Sequence, residues 1–190
     1  MTDGLATQSW VFAHGSLMFD ADFEPQTALP GRAWGWERRF GQPSVRNWGT
    51  TTAPAPTSSL SRGGHCDGLL LGLPSGRAGS VLASLVQREA NEPVTVTVST
   101  AFGDVSAFTW LMSDSWARLD AAELAAHGVE NVRAGGGPRG DAMQYATGVH
   151  DALSAHGLRD DLVSRYLEQL GPDQERRGRP PSPAPEWRPM

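Results

Sequence analysis

Lysine is missing altogether, so all sixteen basic residues are arginines. That excludes a Schiff base formed through a lysine side chain and any phosphate loop built around one. A single cysteine, Cys66, excludes an internal disulfide and a multi-thiolate metal site. At a strand start, one thiol reads as a small buried residue rather than a reactive group. No stretch approaches the roughly 18 to 20 consecutive apolar residues of a membrane span. Residues 1–8 show neither a basic nor an apolar leader region, so no secretory signal is expected and the expected location is cytoplasmic. The five histidines include no i, i+4 pair, which leaves a metal site without support. The net charge of −5 gives no reason to expect nucleic acid or an anionic membrane as partner. No metal and no cofactor are therefore expected.

What is present suits one globular domain over 1–171, followed by a Pro/Arg-rich tail over 172–190 with little to bury. Trp10 to Ala13 is a short apolar run that reads as a buried strand entering a tight loop at His14-Gly15-Ser16-Leu17. Arg32 to Phe40 reads as a second strand, with Trp34, Trp36 and Phe40 on one side and Arg38 on the other. Pro43 to Ser61 reads as a long polar loop, and Gly68 to Leu73 as a strand buried on both faces. Val94 to Val98 alternates cleanly and predicts a hairpin with Val105 to Met112. Helices are expected over Ala78 to Ala90, Leu119 to Ala126, Asp141 to Ser154 and Leu158 to Leu170, with Gly157 as a stop signal. Strands first, one helix between strands and helices last describe an α+β arrangement.

Several residues could carry chemistry. Val81, Leu82, Leu85 and Val86 form one apolar stripe, and Glu89 extends it by three and four residues. A carboxylate at the end of a core-facing stripe is partly desolvated, which raises its pKa. The same spacing also allows a helix-terminal glutamate turned to water. Ser16 near His14 suggests a serine nucleophile with a base, but neighbours in a tight loop rarely achieve that geometry. The loop reads better as a set of backbone amides able to hold a carboxylate or an oxyanion. Gly135, Gly137 and Gly140 satisfy a dinucleotide-binding pattern in the wrong context, because the preceding segment is too polar for a buried strand.

Taken together, several segments resemble the ChaC-like branch of the γ-glutamylcyclotransferase family. Trp10 to Leu17 is similar to that family's W-V-F-G-Y-G-S-L strand and loop. Gly35-Trp36-Glu37-Arg38-Arg39-Phe40 resembles G-[FY]-x-R-R-F, and Arg46 to Thr50 resembles a segment with H-R-G-T. Cys66-Asp67-Gly68 matches C-x-G, and Leu85 to Glu89 matches L-x-x-R-E. Gly135 to Asp160 resembles a glycine loop followed by N-x-x-Y and L-x-x-x-G-[IL]-x-D, with Tyr145, Leu153, Gly157, Leu158 and Asp160 in register. The resemblance covers about residues 10 to 170. It implies a small mixed β-barrel with flanking helices and a cofactor-free enzyme that releases 5-oxoproline from a γ-glutamyl peptide or amide, either glutathione or a γ-glutamylated amine. It further implies Glu89 as catalytic base, with His14, Gly15, Ser16, Leu17, Met18 and Tyr145 around the small-molecule substrate. Two positions depart from the pattern: His14 replaces the loop tyrosine, and Asn91-Glu92-Pro93 replaces a G-G-Y segment. A non-catalytic relative that binds a glutamyl ligand, and a serine hydrolase using Ser16, are the competing readings.

Overall fold

The computed structural model describes residues 8–111 and 136–171. The helix expected over Leu119 to Ala126 and the tail over 172–190 lie outside the described residues.

Five strands close into a barrel in the order β1-β3-β2-β4-β5. Strand β1 (Trp10–Ala13) runs antiparallel to β3 (Ala55–Gly72), from Trp10 opposite Gly72 to Ala13 opposite Leu69. Its other edge meets β5 (Gly103–Thr109) in parallel, with Val11 opposite Phe108, and this pairing closes the barrel. Strand β2 (Thr27–Ser44) pairs along β3 and also with β4 (Val94–Thr100), which forms the expected hairpin with β5.

The two-residue period of the strands divides the core in two. Trp10, Phe12, Leu70, Val96 and Val98 pack together inside the barrel. Val11, Ala13, Leu69 and Leu71 point the other way, against helices α1 (Ala78–Glu89), α2 (Ala142–Ala155) and α3 (Asp161–Leu170). Leu85 is the buried centre of the α1 stripe, with Val81, Leu82 and Val86 partly buried beside it. Helix α2 opens on a capping box in which Asp141 and Gln144 exchange side-chain and backbone bonds. Gly157, at φ +69°, turns the chain after α2, a conformation that favours glycine. No helix among the described residues is long and apolar enough to cross a membrane.

Two expectations are corrected. The stretch read as a loop from Pro43 to Ser61 is a strand from Ala55 onward, paired with Glu37 to Ser44. Its polar side chains bond to backbone: Thr57 Oγ1 donates to Gln42 O, Ser58 Oγ faces His14 O, and Ser59 Oγ donates to Arg39 O. Pairing satisfies their backbone, which the hydrophobic pattern alone does not register. In β2, irregularities between Trp34 and Trp36 and between Phe40 and Gln42 break the simple alternation. Between those irregularities Arg38 and Phe40, two residues apart, share one face, so Arg38 is buried at 4% exposure beside Phe40 and not opposite it, while Trp34, beyond the first irregularity, is 59% exposed. Buried Arg38 is tolerated because each of its three guanidinium nitrogens has a partner. It pairs with Asp160 and donates to the carbonyls of His14 and Asp67 at 3.1 and 2.7 Å.

Candidate active site

Where β1 ends, the chain bends through His14 and Gly15 into a single 3-10 turn, Ser16–Met18. This bend directly follows Ala13, the last residue of β1. It forms one wall of a cavity of about 360 Å³, together with Thr57 and Ser58 of β3, the segment 42–48, the end of α1 and Tyr145 of α2. His14, Gly15, Ser16, Leu17, Glu89 and Tyr145 all line this cavity, so residues far apart in sequence converge on one space. Met18 does not line it. Its side chain is buried in the core between barrel and helices.

Glu89 is the last residue of α1, followed by Ala90 in the left-handed conformation (φ 53°), which turns the chain away from the helix. Its side chain is 25% exposed. Burial raises its pKa above the ordinary carboxylate value; Arg88 and Arg139 oppose that rise, while Asp22 adds to it. Arg88 Nε lies 3.4 Å from Glu89 Oε1 but is not aligned for a hydrogen bond. The carboxyl is therefore held near positive charge without being capped by it, which leaves it free to take a proton.

The partners of Arg88 tie the site together. Its Nη1 meets Asp22 Oδ2 at 2.7 Å and the Asp20 carbonyl at 2.5 Å, and its Nη2 donates to Ser16 Oγ at 3.1 Å. Arg139, in the glycine-rich turn before α2, adds contacts of 2.6 Å to Asp20 and 2.5 Å to Asp22. The turn after β1, the end of α1 and the glycine turn are joined by these four side chains. Beyond Glu89, Asn91 Nδ2 donates to Leu111 O and Trp110 Nε1 donates to Asn91 O, both at 3.0 Å, so the site's other flank is pinned to the end of β5.

His14 is buried, with Nδ1 at 3.1 Å from Ser58 Oγ and Nε2 at 3.3 Å from Trp110 O. Burial, reinforced by the nearby charge of Arg38, lowers its pKa to about 4. A neutral ring carries one N–H, and a carbonyl can only accept. With Nε2–H donating to Trp110 O, Nδ1 accepts from Ser58 Oγ–H; with the Ser58 proton given instead to the His14 carbonyl 3.0 Å away, the ring proton sits on Nδ1 and donates to Ser58 Oγ. This arrangement speaks against the serine hydrolase: His14 is committed to Ser58 and Trp110, and Ser16 Oγ is bonded to Arg88. Cys66 lies buried in β3, where burial pushes its thiol up to about 11, an inert residue as expected. Among the described residues, no cluster of histidine, cysteine, aspartate and glutamate is arranged to hold a metal ion.

Sequence reasoning missed Ser58, Arg88, Asn91, Trp110 and Arg139. Ser58 fell in the segment read as loop, and Arg139 in a glycine stretch weighed only as a nucleotide loop. Arg88 precedes Glu89 in the same motif, but its partners are too distant in sequence to be read there.

A closed barrel with three flanking helices and a polar cavity at the end of β1 is the fold of the γ-glutamyl cyclotransferases. A γ-glutamyl cyclotransferase specific to glutathione from yeast superposes with a TM-score of 0.70 at 16% identity, covering 86% of this chain and 95% of that one. Another γ-glutamyl cyclotransferase gives 0.53 at 14% identity, over 88% and 90%. Within that class the chain belongs to the ChaC-like family, whose model, described as ChaC-like protein, matches residues 9–172. A relative from Escherichia coli K12, named glutathione-specific gamma-glutamylcyclotransferase, is 26% identical over 163 residues, 83% of this chain and 71% of its own length.

Proposed function

We propose that this protein is a γ-glutamyl cyclotransferase that releases 5-oxoproline from a γ-glutamyl peptide, with glutathione as the leading substrate and Glu89 as the base. The observation that carries the reading is the convergence of a desolvated carboxylate, Glu89, with the amide-bearing turn at Gly15 to Leu17 on one cavity. Family membership and the named relatives give the reaction type.

In a γ-glutamyl amide the α-amine and the γ-carbonyl carbon lie in one molecule and can close a five-membered ring. Holding the chain in the bent conformer supplies most of the advantage, since well-oriented intramolecular attack reaches effective molarities on the order of 10⁵ to 10⁸ M. The first amides of a 3-10 turn have no carbonyl within the turn to bond; that of Ser16 is directed at Tyr145 Oη, which leaves that of Leu17 on the cavity wall for the anionic α-carboxylate. The α-amine must lose a proton to attack, and Glu89 accepts it. A carbon–nitrogen bond forms from the amine to the γ-carbon, the original amide bond breaks, and Glu89 returns the proton to the departing nitrogen. The products are 5-oxoproline and the free amine, which for glutathione is cysteinylglycine. No cofactor enters this balance.

Glu89→Gln keeps the size of the side chain and loses the base. We expect 5-oxoproline release from glutathione, followed by mass spectrometry, to fall by at least about 10²-fold with the fold intact by circular dichroism. Normal release by the variant would overturn the assignment. A wild-type protein that binds γ-glutamyl peptides and amines and returns them unchanged would establish the non-catalytic reading.

A further inference from the structure

Tyr145 projects from α2 to the cavity wall while remaining 2% exposed. Its oxygen accepts the Ser58 amide at 2.9 Å, and the Ser16 amide is directed at the same atom. The loop approaches this closely because residue 15 is glycine: a Cβ there would stand 2.6 Å from Tyr145 Oη. Two amides account for the lone pairs of the phenol, but a phenol also has a proton to give. Among the described residues no acceptor is hydrogen-bonded to it. Glu89 acts on the hydroxyl through its charge alone. A buried donor without an acceptor is costly, and on the wall of this cavity a substrate oxygen can supply the missing partner.

We infer, resting on the cyclotransferase reading, that the Tyr145 hydroxyl donates to the γ-carbonyl oxygen of the substrate as it becomes an oxyanion, which makes Tyr145 a catalytic residue beside Glu89. When the amine nitrogen bonds to the γ-carbon, the carbonyl electron pair moves onto oxygen. The hydroxyl on the cavity wall meets that charge, and the Ser58 amide bonded to its oxygen, with the Ser16 amide directed at the same atom, polarises it into a stronger donor. Its proton stays on the phenol, because burial holds this hydroxyl above the ordinary range and the Ser58 amide and Arg38 only partly offset that. The oxyanion then collapses, the amide bond breaks, and Tyr145 ends the cycle as it began. The bond strengthens as charge builds on that oxygen, so the larger part of the effect belongs in kcat.

The test is Tyr145→Phe, assayed for 5-oxoproline release from glutathione beside wild type. The expected result is a fall in kcat of about 10²-fold, with KM unchanged within about threefold. A kcat near that of wild type overturns the inference. So does a raised KM at unchanged kcat, which would make the phenol a ground-state contact to the α-carboxylate. Should the variant fail to unfold cooperatively, a shape-preserving probe replaces it. The chain has only two tyrosines, so a Tyr166→Phe protein grown on 3-fluorotyrosine carries the more acidic phenol at position 145 alone. Its kcat is expected to differ from that of unlabelled Tyr166→Phe, and an identical value overturns the inference. Wild type inactive on every γ-glutamyl compound would instead sink the cyclotransferase reading itself, an outcome visible without any variant.

Discussion

At position 14 a histidine stands where the family's loop carries tyrosine, and both its nitrogens are spoken for inside the protein. The ring is neutral in the fold, with a pKa lowered to about 4 by burial and then by Arg38, whereas an unfolded histidine titrates near 6.5. Below pH 6.5 the unfolded chain takes up a proton that the native state refuses until about pH 4. The stabilising preference for the neutral ring is therefore complete above pH 6.5 and is lost as the pH falls toward 4. The full effect is on the order of 3 kcal/mol. Urea unfolding of wild type and His14→Gln at a series of pH values isolates it, because all other groups are shared. Wild type should be the more stable at pH 7.5, with the gap closing steadily toward pH 4. A gap that stays constant with pH would show that the ring does not titrate as described.

Among the elements, α3 is held at its first turn by Asp160, which serves two functions. Its Oδ1 accepts from the amides of Leu162 and Val163 at 2.9 and 3.2 Å, and its Oδ2 pairs with buried Arg38. Burial opposes its charge, but Arg38, by charge and hydrogen bond, together with the Val163 and Leu162 amides outweighs burial, and the pKa falls below the usual value. Asp160→Asn keeps the cap and leaves Arg38 buried without its counter-charge, which should cost about 3 kcal/mol in chemical denaturation. Asp160→Ala removes the cap as well and should cost roughly 1 kcal/mol more. Equal stability for the two variants would show that the cap contributes nothing here. Such double roles explain what the sequence revealed of the elements. The α1 stripe, the alternation of β4 and the stop at Gly157 are local patterns and were legible. The extension of β2 and β3 was not, because Thr57, Ser58 and Ser59 reach the interior through hydrogen bonds made to distant backbone.

Across the molecule, the site is assembled by contacts that no local pattern encodes. Glu89 was legible as the end of an apolar stripe, and the turn at His14 to Leu17 as a strand end. The network of Asp20, Asp22, Arg88 and Arg139 was not, because it joins segments from three parts of the chain. It also sets the electrostatics of the carboxylate proposed as base. Arg88 and Arg139 favour the charged form of Glu89, and Asp22 disfavours it. Asp22 is itself held ionised, first by its hydrogen bond to Arg139, with burial opposing, and then by the charges of Arg88 and Arg139. Arg139→Gln removes a positive charge and leaves Asp20 and Asp22 less neutralised. Both changes push the Glu89 carboxyl further up. The acidic limb of kcat/KM should then move to higher pH than in wild type, where it already lies above the ordinary 4.5. Because Asp22 and Arg139 are partly exposed, added salt should move the wild-type limb in the same direction and the variant's limb less. A pH–rate profile at low and high salt for both proteins checks this. A limb that stays in place, or moves to lower pH, would mean that the base titrates independently of the network that frames it.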